Sequence, residues 1–272
     1  MMKPMGSVLP LVLMTMCLLA ENVVADQICT LSPGVYARRQ TLEQQYLERV
    51  GDNYLLHKSA ADRIKMQLRQ IDQRYQLLFS ILCKAAGDGD SDQVASCCRQ
   101  VGHDQAADEV CSLSYYLATE RADSESFIAS FPGTPEQIAV LWNLEDITYG
   151  PKGSMVTDCG PSGLVDLYVD ELFHLVTLGN RQALLKFVNL SHYAEGVFAE
   201  GLADRMKRLF VEKPRLVLKD WSVIRGFSHI EEISAEFADS EQATAERNFD
   251  NLCVTSSEAC IEIKRAVGSA RN

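Results

Sequence analysis

No apolar stretch of this 272-residue sequence reaches the length of a membrane span. A helix rises about 1.5 Å per residue, so crossing a hydrocarbon core about 30 Å thick takes about 20 apolar residues. The longest run, Val8 to Ala20, is thirteen residues with Thr15 its only polar member. Positive charge is also scarce: 26 Lys and Arg stand against 37 Asp and Glu, for a net charge of −11. Such a balance excludes nucleic acid and anionic membrane surfaces as expected partners, because like charges repel. There is no Walker loop and no dinucleotide fingerprint, and Ser162 in Gly160-Pro161-Ser162-Gly163 lacks the elbow of serine hydrolases. No motif therefore names a reaction, and the chain is expected to be non-enzymatic.

What is present begins with that short apolar run. Lys3 precedes it, and Val23-Val24-Ala25 places small or medium residues ahead of a cut before Asp26. This is the order of a secretory signal peptide over residues 1–25. It predicts a secreted or periplasmic protein with no membrane span after signal cleavage. Cleavage removes Lys3 and Glu21 together, so the net charge stays at −11.

Cleavage also removes Cys17, leaving Cys29, Cys83, Cys97, Cys98, Cys111, Cys159, Cys253 and Cys260. An even number in an exported chain points to disulfides. Local spacing favours Cys253 with Cys260, and Cys83 with Cys97 or Cys98 at a helical corner. Vicinal Cys97 and Cys98 are expected to take different partners. Cys97, Cys98, His103 and Cys111 also offer zinc donors, but an oxidising compartment favours the disulfides.

The spacing of apolar residues predicts an all-α protein. Between Tyr36 and Lys84 there is no Pro, and Leu47, Val50, Tyr54, His57, Ala61, Ile64, Leu68, Ile71, Tyr75, Leu78 and Leu82 follow a three-four spacing. That places one apolar seam on a long heptad-patterned helix, as in a coiled coil or helical hairpin. Shorter helices are predicted over Gln93 to Gly102, Gln105 to Ala122 and Pro135 to Glu145, the last with Thr134 as its cap. Later ones cover Leu164 to Leu178, Arg181 to Leu190, Tyr193 to Val211, Pro214 to Ile224, Ile230 to Ala238 and Glu241 to Asn251. A loose pattern beginning at Leu175-Val176 recurs at Leu209-Phe210, which suggests stacked helix pairs. The Gly- and Pro-bearing stretch 148–163 reads as a linker or long loop. It separates an N-terminal helical hairpin or bundle, 26–147, from a C-terminal helical subdomain, 164–272.

Two constellations could carry chemistry. Asp88, Asp90 and Asp92 alternate as in the first half of a calcium loop, and Ca²⁺ favours six to eight oxygen ligands. Gln93 and Arg99 then stand where that loop needs Gly and a bidentate Glu. Glu171 and His174 share one helical face, and His192 follows near the start of a neighbouring helix, so a mixed carboxylate and imidazole metal site is conceivable. Asn189-Leu190-Ser191 is a glycosylation sequon.

The expectation is an exported helical binding or scaffold protein, its partner another protein or a second copy meeting it along the heptad seam. The alternative is a metal-binding protein or metal-dependent hydrolase using Glu171, His174 and His192. No cofactor is expected beyond calcium at the Asp88 loop.

Overall fold

A computed structural model of the chain describes residues 29, 31, 34–51, 54–101, 105–119, 123–148, 163–228, 230, 233, 237–254 and 257–268. The signal peptide, Cys17, Cys159, His103, Ser162 and nearly all of the stretch 148–163 lie outside these residues. Among the described residues there are thirteen helices and no strand. The all-α expectation therefore holds, and its physical basis is a sequence rich in Leu, Gln, Arg and Glu whose apolar residues recur at helical spacing.

The chain divides into two units, and the division does not follow chain order. One comprises the described residues up to 119 together with those of Leu144–Leu164, and the other Asp123–Asn143 with Val165–Asn272. Residues 123–143 thus belong with the C-terminal helices, rather than with the N-terminal region 26–147.

The first unit is built from α1 (Val35–Gly51), α2 (Tyr54–Asp88), α3 (Ser91–Gln100) and α4 (Gln105–Ala118). The predicted single helix over Tyr36 to Lys84 is therefore two helices. Its seam is buried along α2 at Ala61, Ile64, Ile71, Tyr75, Leu78 and Leu82, whereas Leu47 is 64% exposed and Val50 39%. On α1 the buried edge is Val35, Tyr36, Arg39 and Leu42 instead. The apolar spacing runs on across the break, so periodicity alone cannot separate one long helix from two. α1 packs on α2, where Arg39 Nε donates to Asp72 Oδ1 at 2.7 Å and Arg39 Nη1 to Glu43 Oε2 at 3.0 Å. Burial works against the Arg39 charge, but the hydrogen bond and charge of Asp72 outweigh it and raise its pKa above the ordinary value. α4 packs on both α2 and α3.

Disulfides close this unit. Cys29 pairs with Cys97 at a Cα–Cα distance of 5.3 Å, and Cys98 with Cys111 at 5.7 Å. The expected pairing of Cys83 with Cys97 or Cys98 is thereby corrected. Cys97 lies buried toward Cys29, while its neighbour Cys98 reaches across to α4, because successive helical side chains point about 100° apart. Cys83 is itself disulfide-bonded.

The second unit contains α5 (Ser124–Ser130), α6 (Pro135–Thr148, to Asn143), α7 (Gly163–Thr177, from Val165), α8 (Arg181–Ser191), α9 (Gly196–Glu212), α10 (Pro214–Lys219), α11 (Trp221–Ile224), α12 (Asp239–Leu252) and α13 (Glu258–Gly268). The predicted helix Pro214 to Ile224 is split at Asp220, and the described residues of 230–238 hold no α-helix. Its core is aromatic. Phe187 sits 5.4 Å from Phe173 and 6.1 Å from Phe227, and Phe210 lies 5.9 Å from Phe249 and 6.3 Å from Trp221. Each such buried ring contributes about 1.5–3 kcal/mol of apolar burial. Trp221 Nε1 donates to Glu262 Oε2, linking α11 to α13. Cys253 and Cys260 are disulfide-bonded across the α12–α13 turn, with Cα atoms 5.6 Å apart.

Paired cysteines and the lack of any helix long and apolar enough to cross a membrane, among the described residues, are compatible with an extracellular protein.

Candidate functional site

The two constellations read from the sequence take other roles in the fold. Asp88 is the last residue of α2, so the acidic loop shrinks to Gly89 and Asp90. Gly89 has φ +72°, a conformation that suits glycine, and Asp90 Oδ1 accepts from the Gln93 N–H at 2.9 Å as the cap of α3. Asp92 lies in the first turn of α3, where a carboxylate complements the helix dipole. All three carboxylates are exposed.

Glu171 and His174 sit on α7 three residues apart, but Glu171 is 3% exposed whereas His174 faces solvent. His192 follows α8, also exposed, with its backbone N–H donating to Asn189 O at 3.3 Å. The neighbouring carboxylates Asp166 and Asp170 are held by Arg205 of α9, whose Nε donates to Asp170 Oδ1 at 2.8 Å and whose Nη2 lies 3.5 Å from Asp166 Oδ1. Burial pushes the Asp166 pKa up; Arg205 opposes this and Asp170 adds to it. Among the described residues no group of three or more His, Cys, Asp and Glu side chains is placed to hold a metal ion. The cysteines that could have served zinc, Cys97, Cys98 and Cys111, are in disulfides.

Asn189 of the sequon is committed to structure as well. Its Nδ2 donates to Gly133 O at 3.0 Å, and Ser191 is buried with its Oγ accepting from the Ser228 N–H at 2.8 Å. One helical turn earlier, Lys186 Nζ donates to Phe131 O. The Lys186 and Asn189 contacts fasten the α5–α6 turn to α8.

A groove of about 540 Å³, open to solvent, lies in the second unit where the end of α7 meets the α9–α10 junction. Local sequence builds it. Gly179 ends α7 with φ +88°, its N–H donating to Val176 O and the Asn180 N–H to Leu175 O, a helix stop that glycine permits. Asn180 Oδ1 then caps α8 by accepting from Gln182 and Ala183 N–H groups. Pro214 starts α10 immediately after α9, turning the chain at Lys213. The apolar lining comes from Pro214 and Leu216, with Leu178, 69% exposed, at the edge. Lys213, Arg215 and Lys219 line the same groove, all exposed.

Among the described residues none of those three cations forms an ion pair, and one acid, Glu212, lines the groove beside them, so the lining carries three positive charges against one negative. Glu212 lies 3.8 Å from Arg208, and buried Asp220 lies 3.5 Å from Arg181 at the start of α8. The groove is therefore a locally positive, partly apolar surface on a chain of net charge −11. The sequence held one signal for it: residues 205–225 carry seven basic side chains against two acidic ones. Comparison with protein-family models, curated proteins and solved structures finds no match.

Proposed function

We propose that the chain is an exported, non-enzymatic helical binding protein of the extracellular space or periplasm, and that the groove at Leu178, Lys213, Arg215 and Lys219 is its binding face. The observation that carries this reading is the coincidence, in one concavity, of an apolar lining with three cations that form no ion pair among the described residues and that outnumber the one lining acid, Glu212. Leu178, 69% exposed, together with the half-buried Pro214 and Leu216 supplies the apolar part of this concavity. In this reading α1 and α2 form a helical hairpin and α7 to α10 stacked helix pairs, rigid supports for the face. The burial of Ala61, Ile64 and Ile71 within the chain supports an internal role for the α2 seam over self-association through it.

A thermal-shift screen of the signal-cleaved chain against organic anions, organic cations and short peptides tests the proposal. Stabilising compounds are expected among the anions, and Lys213→Glu/Lys219→Glu should abolish their shifts while leaving the unliganded Tm unchanged. Shifts that survive the double substitution, or no shift with any anion, would overturn it.

A further inference from the structure

Resting on that reading, we infer that the occupant of the groove is an acidic peptide segment bearing an apolar anchor residue, rather than a small free anion. Size and openness argue first. The groove's volume of about 540 Å³ far exceeds one anionic group, yet it is open to solvent along its length. Sites for small ligands usually bury most of the ligand's surface, which an open groove cannot do. A peptide laid across it needs no enclosure, because neighbouring residues continue the contact beyond its rim.

Charge argues next. Lys213 immediately precedes α10 and Lys219 ends it, with Arg215 between, so along the chain the cations are spaced out rather than adjacent, and they outnumber the one acid, Glu212, that lines the groove next to Lys213. Six residues of helix span about 9 Å, close to the distance between alternate or every-third carboxylates on a peptide. Chemistry in between matches an apolar side chain: Leu216 forms floor against Gly179, where a built Cβ would sit 4.0 Å from Leu216 Cδ1, and Leu178 projects at the edge. An acid-apolar-acid segment satisfies this order, whereas an entirely acidic one would leave Leu178 and Leu216 wet. Attraction acts over roughly the 8 Å Debye length, so these cations dominate at contact although the whole chain is acidic.

Fluorescence anisotropy on the full signal-cleaved chain tests this with a short labelled peptide in which glutamates flank leucines. The peptide is expected to bind. Lys213→Glu/Lys219→Glu should weaken binding by more than about tenfold. Leu178→Asp, a change at an exposed position, should weaken it by a similar factor without lowering Tm. Replacing the peptide's glutamates by lysines should abolish binding to the native chain. Decanoate is run in parallel as a free amphiphilic anion. If decanoate binds through the groove and the peptide does not, the peptide assignment falls while the groove stands as a binding face. If neither binds, both fall. Peptide binding unchanged in the charge-reversed chain also overturns the assignment.

Discussion

Single residues in this protein are defined less by their type than by what they are left to do. Arg205, Lys207 and Arg208 share a charge run with Lys213, Arg215 and Lys219, yet Arg205 holds Asp166 and Asp170, Lys207 lies 2.6 Å from Asp204, and Arg208 stands 5.5 Å over the Phe173 ring. Only geometry separates spent cations from available ones, so the groove could not be isolated from the charge run in the sequence. Lys186 shows the same dependence on context. Its burial lowers its pKa from the usual 10.5, so the unfolded chain binds the proton more tightly than the folded one. Stability contributed at this position therefore rises with pH between the lowered folded value and 10.5. Urea unfolding of the native chain and Lys186→Met at about pH 8 and about pH 10 is expected to show the native chain gaining relative to the variant at the higher pH. An unchanged difference would remove Lys186 as the source.

At the scale of elements, covalent staples differ in what they restrain. Cys29 and Cys97 are 68 residues apart and Cys253 and Cys260 only 7. Loop-closure entropy then assigns about 4 kcal/mol to the first pair and about 2.5 kcal/mol to the second. Replacing Cys29 and Cys97 by serine is expected to lower the denaturation midpoint more than replacing Cys253 and Cys260; the reverse order, read by urea titration, would show that local strain or residual structure outweighs chain entropy. The short staple was legible because seven residues span one turn and the start of a helix. The long one was not, because nothing in the spacing of Cys29 and Cys97 marks their contact. Helix punctuation was equally legible at Gly179-Asn180 and at Thr134, whose Oγ1 accepts from the Gln137 N–H at 3.3 Å. The apolar seam misled at Leu47 and Val50, since two successive helices can continue one numerical spacing while turning different faces inward.

For the molecule as a whole, the informative fact is that residues 123–143 belong with the C-terminal helices. Phe127, Phe131, Ile138 and Leu141 are buried there, and Phe131 and Gly133 supply the carbonyls that Lys186 and Asn189 engage. A fragment comprising residues 165–272 is expected to melt without cooperativity, and a fragment of residues 123–272 to recover a sharp transition by circular dichroism. Equal, sharp melting of the two would mean that the early segment is dispensable. That grouping also bears on the order of synthesis. Delivered from the N-terminus, the chain presents Asp123–Asn143 of the second unit before the described residues of Leu144–Leu164, which group with the first, have emerged. The described residues of neither unit are complete while those of the other are still entirely unmade.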